Sequence, residues 1–360
     1  MTLSDIATIR LYNQQLAQTT FKKPQDLVSY MGAIQAQDYA MAKWAVGIRL
    51  PDSTNKEIEA ALNSGTIIRT HIMRPTWHLV AADDIYWMLE LSAPHMVSSM
   101  KGRHRELELT EEIFSKSNTV IEKVLSNSKK HLTRDELMTE LKKAKIVINQ
   151  YTSIHIMYRA ELDGIVCNGE INGKKQTYAL LSSRAKQTKK ITREEALAKL
   201  AKKYFTSHGP ATIQDFLWWS GLPAKDARNA FEMVKSNFVS GTIGADTYWF
   251  SNSIRVPKSK TTSVHLLPAF DEFIISYKDR KASIHIDHQK KAFTTNGIFK
   301  PIIVVNGQVT GIWKRTIKKD KVVIEPSFFK NSNKLSKTIL EKAAEPFGKF
   351  LNMKTEIKMR

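Results

Sequence analysis

The sequence predicts an α+β fold with three tandem winged-helix units, a small β-barrel-like region and a C-terminal helix. Two observations support this prediction. The order helix, helix, helix, hairpin occurs in residues 106–190 and again in residues 191–255, and residues 1–105 contain the same parts with an altered hairpin. From residue 256 onward, alternating apolar stretches replace helical periodicity. The predicted domains are therefore residues 1–105, 106–190, 191–255 and 256–360.

In the first domain, the pattern of apolar residues alternates between helical and extended character. Pro24 suits the first turn of a helix that ends near Gly32, and Gly65 suits the left-handed C-cap of a helix beginning at Asn55. The stretch IIRTHIMRPTWHLV, residues 67–80, contains a proline and several β-branched residues, which favour extended structure. Further helices are predicted at residues 3–17 and 83–95.

The second and third domains contain local signals for helix starts and tight turns. Capping boxes, in which Ser or Thr is followed three residues later by an acidic residue, predict helix starts at Thr133/Glu136, Thr192/Glu195 and Thr212/Asp215. Asn172-Gly173 lies between two alternating stretches and predicts a hairpin. Helix-turn-helix relatives often bind DNA, but winged helices also serve as protein-interaction modules, so both alternatives remain open.

The last domain combines β-type alternation with strong positive charge. Strands are predicted in VHLLPAF, EFIISY, KPIIVV, QVTGIW and KVVIEP, a tight turn at Asn306-Gly307, and an amphipathic helix over residues 334–351. Residues 256–360 contain 21 Lys and Arg against 9 Asp and Glu, a net charge of 21 − 9 = +12. We expect this region to contact phosphates.

Composition limits the class of protein. The chain has 360 residues, 42% of them hydrophobic, and a formal net charge of +20, which favours a polyanionic partner. Nucleic acid is the first candidate and a membrane surface the second. No apolar run reaches the roughly 18 to 20 residues of a spanning helix, and the N-terminus lacks the order of a signal peptide. One cysteine, Cys167, forms no internal disulfide. We expect a soluble cytoplasmic protein.

Several common catalytic patterns are absent. Neither a glycine-rich phosphate loop nor a GxSxG elbow occurs, and the histidines lack metal-ligand spacing such as HExxH, so we expect no metal and no cofactor. The histidines in IHIDH, residues 284–288, are predicted to lie on a solvated strand edge. In PAFDEFIISYKDR, Asp271 or Glu272 is predicted to form a structural ion pair with Arg280.

One stretch, MGAIQAQDYAMAKWAVGIRL, places Gln35 and Gln37 two residues apart. In extended backbone such amides point the same way and can hold one water or one ligand edge, whereas in a helix they diverge. The alternative is a helix end with solvated glutamines. The pair alone does not decide between them.

Five stretches in order are similar to those of the AlkZ-like (YcaQ-type) winged-helix DNA glycosylases: IQAQDYAMAKWAVGIRL, IIRTHIMRPTWHLVAADD, HGPATIQDFLWWSGL, LLPAFDEFIISYKDR and VVNGQVTGIWKR. The resemblance spans nearly the whole chain. It implies a concave DNA-binding surface and a catalytic Gln-aliphatic-Gln motif, here Gln35, Ala36 and Gln37. The YcaQ branch has an acidic residue in place of Gln37, so the chain is nearer the AlkZ branch. Asp38 follows the Gln-aliphatic-Gln motif without being part of it, and the resemblance implies no role for it.

This resemblance implies a metal-free, monomeric DNA glycosylase that acts on double-stranded DNA containing alkylated bases of the N7-alkylguanine type, including bulky or crosslinking adducts. Catalysis would rest on Gln35 and Gln37. Two alternatives remain: a non-enzymatic winged-helix DNA-binding regulator, and a protein-binding scaffold, which the net charge disfavours. Trp77 is interpreted as a core residue. For Arg74, the alternative to a DNA contact is a structural role that stabilises the first winged-helix unit. Candidate DNA contacts are Arg49, Arg69, Arg74, His78, Lys278, Arg280, Lys314 and Arg315.

Overall fold

The computed structural model describes residues 1–252, 262–330 and 335–359. The helices within these ranges are α1 (Leu3–Asn13), α2 (Pro24–Met31), α3 (Tyr39–Gly47), α4 (Asn55–Ser64), α5 (Ile85–Ser99), α6 (Lys101–Glu106), α7 (Glu111–Asn127), α8 (Arg134–Lys143), α9 (Gln150–Leu162), α10 (Leu181–Arg184), α11 (Arg193–Ser207), α12 (Ile213–Ser220), α13 (Ala224–Glu232), α14 (Glu272–Ile275), α15 (Ile286–Ala292) and α16 (Lys337–Leu351). The strands are β1 (Ile34–Gln35), β2 (Ile67–Ile72), β3 (Arg74–Ala81), β4 (Leu132–Thr133), β5 (Val166–Asn168), β6 (Thr177–Leu180), β7 (Val239–Ile243), β8 (Asp246–Phe250), β9 (Val264–Leu267), β10 (Ile302–Val305), β11 (Gln308–Ile317), β12 (Lys321–Phe328) and β13 (Lys354–Ile357).

The first sheet has the order β1-β3-β2 and is antiparallel. Gly32 ends α2 with a φ of +78°, a conformation that glycine adopts without strain, and the chain turns directly into β1. The predicted C-cap at Gly65 is present, with a φ of +82° in the left-handed region. Helix α3 was not predicted, because its sequence YAMAKWAVG is apolar around most of its circumference and lacks a clear period.

The predicted starts of helices in the middle of the chain are confirmed. All three capping boxes form, and each N-cap side chain accepts the N–H of the third helical residue. Such a cap typically stabilises a helix by about 1 kcal/mol. The helices α7, α8 and α9 precede the paired strands β5 and β6, and α11, α12 and α13 precede β7 and β8. The mixed α+β class is confirmed, whereas the assignment to winged helices and the domain limits stay predictions.

The C-terminal region contains a five-stranded sheet of order β13-β12-β11-β10-β9 that curls into a half-barrel. Asn306-Gly307 forms the predicted turn between β10 and β11, and both residues have positive φ. Strand β13, which pairs parallel to β12, was not predicted. Two predicted strands are wrong: EFIISY contains the short helix α14, and IHIDH leads into α15, whose N-cap is His285.

The N-terminal and C-terminal regions share one hydrophobic core. Trp44 in α3 donates its indole N–H to the carbonyl of Leu266 at 2.9 Å, and its ring packs on Phe347 in α16. Trp313 in β11 also packs on Phe347. Burial of aromatic side chains is among the largest contributions to core stability. This packing holds α3, and with it the neighbouring strand β1, against the C-terminal half-barrel and α16.

Candidate active site

The two glutamines lie along strand β3. Gln35 pairs with His78 in the sheet register, and the next backbone N–H, of Ala36, donates to the carbonyl of Trp77 at 2.6 Å. Gln35 is buried, at 4% exposure, whereas Gln37 is exposed. The alternative of a solvated helix end is therefore wrong for Gln35. Strand β1 ends at Gln35, and Gln37 follows it in a bend, so the two side chains differ in burial although both lie beside β3.

Both glutamine amides are held in a defined orientation. The Gln35 Oε1 atom accepts a hydrogen bond from Arg74 Nη2 at 2.9 Å, and the Gln37 Oε1 atom accepts one from the backbone N–H of Trp77 at 2.8 Å. A guanidinium and a backbone N–H only donate, so each partner must face the amide oxygen and not the amide nitrogen. Each carbonyl oxygen keeps a second acceptor position, and each NH₂ group points elsewhere.

A buried carboxylate lies behind Gln35. Glu272, the first residue of α14, is 0% exposed, and its Oε1 accepts the backbone N–H of Gln35 at 2.6 Å. Its Oε2 accepts the indole N–H of Trp219 at 3.2 Å and a hydrogen bond from the Ser276 hydroxyl. His208 Nε2 lies 3.6 Å from the same oxygen. This carboxylate thus joins α12 and α14 to the strand that carries the glutamines.

Ionisation of these groups is fixed around neutral pH. Burial raises the pKa of Glu272, but His208, Ser276 and Arg74 outweigh this effect and lower it to about 2. Burial and the nearby Arg74 charge lower the pKa of His78 to about 3. Glu272 therefore stays charged and His78 neutral at physiological pH. His78 is fully buried and contacts the Thr76 carbonyl at 2.9 Å, a position inconsistent with its predicted DNA contact.

Arg69 stabilises the backbone between the two glutamines. Its Nε and Nη2 atoms both donate to the Ala36 carbonyl, at 3.1 and 2.9 Å, and its guanidinium lies 4.1 Å from the centre of the Trp77 ring. The side chain is 4% exposed. The prediction that Arg69 contacts DNA is therefore replaced by a structural role, because its donors are used within the protein.

Arg49 is also an interior residue. It is 0% exposed and forms two hydrogen bonds to the carboxylate of Asp271, at 2.8 and 2.9 Å. Its predicted DNA contact is wrong for this structure. The predicted ion pair of Asp271 or Glu272 with Arg280 is wrong as well: Asp271 pairs with Arg49, and Arg280 donates its Nε–H to the Ile274 carbonyl at 2.9 Å.

The remaining basic candidates form two groups nearer the surface. Lys278 is exposed, and Lys278 and Arg280 both lie against the ring of Trp218, at 5.2 and 5.4 Å from its centre. Burial lowers the pKa of Arg280 to about 10, so it stays charged. On β11, Lys314 is exposed, and Arg315 is half-buried with Nη2 3.8 Å from the carboxylate of Asp38.

Asp38 has a structural role next to the glutamine motif. Its carboxylate accepts the N–H of Met41 at 3.0 Å and so caps the start of α3. Together with its contact to Arg315, this cap ties the segment after Gln37 both to α3 and to β11.

Within residues 1–252, 262–330 and 335–359, no three His, Cys, Asp or Glu side chains form a cluster suited to a metal ion. None of the helices there combines the length and apolar character that crossing a bilayer requires.

The model of the DNA glycosylase AlkZ-like family matches residues 28–350. The chain belongs to this family. It is 24% identical over 358 residues to a Streptomyces sahachiroi protein named interstrand DNA cross-link repair glycosylase, covering 93% of this chain and 92% of the relative. The solved structure of Streptomyces sahachiroi DNA glycosylase AlkZ superposes with a TM-score of 0.83 at 20% identity, covering 100% of both chains. The predicted resemblance is confirmed, and the protein is a DNA glycosylase, a hydrolase acting on N-glycosyl bonds.

Sequence reasoning missed the link between Glu272 and Gln35. The adjacent carboxylates Asp271 and Glu272 before the apolar run FIISY are a signal, since charges buried among apolar residues need hydrogen-bonding partners. Its partner lies 237 residues away in the chain, however, and no local pattern identifies it.

Proposed function

We propose that the protein hydrolyses the N-glycosidic bond of cationic alkylated bases in double-stranded DNA, with Gln35 and Gln37 as the catalytic residues. The observation that supports this most strongly is the fixed orientation of both amides by donors from β3. The enzyme acts as a monomer, without metal or cofactor. Family membership supports an enzyme over the alternative of a DNA-binding regulator.

The chemistry follows from the leaving group. A base alkylated at N7 of guanine already carries positive charge, so its bond to the sugar breaks without a general acid. The site then has to position a water and favour a sugar with oxocarbenium character, which is a task of placement and electrostatics. The free acceptor position on each glutamine carbonyl suits both roles, because it can accept from water or face the developing cation. An amide is a poor general base, which restricts the enzyme to good leaving groups.

Binding to the duplex would use the basic side chains that lie nearer the surface. Lys278 and Arg280 beside Trp218, and Lys314 and Arg315 on β11, are proposed to contact phosphates. Phosphate contacts position a protein on DNA without reading its sequence, which suits an enzyme that searches for damage.

Base release from a duplex containing N7-methylguanine tests this function. Under single-turnover conditions, wild-type protein is expected to release the base, and Gln35→Ala and Gln37→Ala are each expected to slow release by about 10²-fold, the loss typical of one preorganised polar group. Binding of the duplex should change little. Release at the wild-type rate by both variants would overturn the assignment of the site.

The relative from Streptomyces sahachiroi is named as an interstrand cross-link repair glycosylase. We propose that bulky N7 adducts and N7-linked crosslinks are also substrates here. A duplex crosslinked through two N7 positions of guanine should be separated into single strands by the wild-type protein and not by Gln37→Ala. If the crosslink stays intact while the same enzyme releases N7-methylguanine, the substrates are limited to adducts attached to one strand of the duplex.

A further inference from the structure

Arg74 places a positive charge beside Gln35, the residue proposed to face the developing positive charge of the sugar. Its Nη2 donates to the Gln35 carbonyl at 2.9 Å. A guanidinium orients that amide well, because it donates in a fixed geometry. Its charge, however, has the wrong sign for a reaction that builds positive charge on the sugar, since like charges repel more strongly where water is excluded. On its own, Arg74 would oppose the proposed chemistry.

Glu272 provides the opposite charge. Its carboxylate accepts the Gln35 backbone N–H at 2.6 Å, so it lies next to the same residue from the backbone side. Within the described ranges, no lysine or arginine forms an ion pair with it. Three hydrogen bonds, from Gln35, Trp219 and Ser276, keep it stable as an anion in the interior. Arg74 and Glu272 thus contact the same residue, one at the Gln35 side chain and the other at its backbone. Burial lowers the pKa of Arg74, and the charge of Glu272 acts in the opposite direction.

We propose that Glu272 is a positioning and charge-compensating residue of the active site: it holds the Gln35 backbone and cancels the Arg74 charge, so that the site favours a cationic sugar. This inference rests on the proposed function. It deepens that function, because it explains how a carbonyl held by a guanidinium can still face a developing cation. A carboxylate that only stabilised the fold would not alter the preference of the site for charge.

The test compares two abasic-site analogues in otherwise identical duplexes, a cationic pyrrolidine and a neutral tetrahydrofuran. Wild-type protein is expected to bind the pyrrolidine duplex more tightly. Glu272→Gln keeps an oxygen that can accept the Gln35 N–H but removes the charge. It is expected to reduce the preference for pyrrolidine by about tenfold, corresponding to about 1.4 kcal/mol, with little change in the Kd for tetrahydrofuran. Release of N7-methylguanine should slow while duplex affinity is kept.

Asp84→Asn is a matched control. Asp84 is a buried carboxylate, 2% exposed, that also accepts a tryptophan N–H and a serine hydroxyl, from Trp87 and Ser29. Its ion pairs are with Lys199 and Lys203, and none of these partners is Gln35 or Gln37. We expect Asp84→Asn to keep the wild-type preference for pyrrolidine, whatever its effect on stability.

A second variant tests the same charge balance from the other side, and it serves if Glu272→Gln does not fold. Arg74→Met leaves the Glu272 charge uncompensated, so its preference for pyrrolidine over tetrahydrofuran should exceed that of the wild type. A preference equal to or below the wild-type value would contradict charge compensation.

Failure of the inference and failure of the proposed function give different results. If wild-type protein releases N7-methylguanine and prefers pyrrolidine, but Glu272→Gln keeps the full preference, only the role of Glu272 is overturned. If wild-type protein neither releases the base nor prefers pyrrolidine, the proposed function is overturned and the inference with it.

Discussion

At the residue scale, the decisive feature is that both glutamine carbonyls are already bound by donors on β3. Arg74 and the Trp77 N–H each occupy one acceptor position, so Gln35 and Gln37 cannot rotate freely and present a fixed edge. Preorganised groups of this kind cost no reorganisation during a reaction. Arg69, predicted to contact DNA, contributes instead by fixing the carbonyl of Ala36 between them.

His78 gives a prediction about stability and pH. Burial and Arg74 lower the pKa of His78 to about 3. The imidazole is therefore uncharged in the folded protein at pH values at which the unfolded chain protonates it. A group with a depressed basic pKa loses stabilisation as the pH falls from about 6.5 towards 3. Because the unfolded chain protonates His78, the free energy of unfolding of the wild type should fall by roughly 2 to 3 kcal/mol as the pH decreases from 7.5 to 4.5.

Chemical denaturation of wild type and His78→Asn at both pH values checks this expectation. Asparagine keeps a donor near the Thr76 carbonyl but does not titrate, so the variant should lose less stability on acidification. Equal losses in the two proteins would show that His78 is accessible to protons in the folded state. The same low pKa values predict that neither His78 nor Glu272 changes charge between pH 5 and pH 9.

Sequence order was sufficient to select the glutamine pair but not its partners. Gln35 and Gln37 stand out through their place among five motifs, whereas the contact from Arg74 spans 39 residues and that from Glu272 spans 237. Contacts of that separation depend on tertiary packing. The same limitation explains why Arg49 was predicted to contact DNA. A single basic residue in an apolar run is compatible with a surface position or with a buried ion pair, and only the contact with Asp271, 222 residues away, distinguishes the two.

At the element scale, local signals predicted helix ends better than they predicted short elements. Capping boxes and turn glycines act through adjacent backbone groups, and these predictions were confirmed at Thr133, Thr192, Thr212 and Gly65. Helix α14 was predicted as a strand because FIIS is rich in β-branched and aromatic residues. The N-cap hydrogen bond of Asp271 and the contacts of Glu272 favour a helical turn over that propensity.

Strand β11 gives a prediction about DNA affinity. Lys314 is exposed on this strand, whereas its neighbour Arg315 is close to Asp38. Each phosphate contact releases about one counterion, so Lys314→Ala should reduce the slope of log affinity against log salt by about one unit, similarly for different sequences. Measurements of Kd over a series of salt concentrations test this, and an unchanged slope would place Lys314 outside the interface.

At the scale of the whole molecule, the fold brings distant parts of the sequence to one site. Gln35 and Arg74 come from the N-terminal sheet, Trp219 from α12 and Glu272 from α14. The core shared by Trp44, Trp313 and Phe347 keeps the N-terminal sheet and the half-barrel in place. A net charge of +20 over the chain adds an attraction to DNA that does not depend on sequence.

The central claim is that the charge of the alkylated base drives its departure, while the glutamines position water and favour the cationic sugar. The most direct test compares single-turnover release of N7-methylguanine and of uracil from matched duplexes. We expect release of N7-methylguanine and little or no release of uracil, because two amides cannot protonate a neutral leaving group. Comparable rates on the two duplexes would contradict the account.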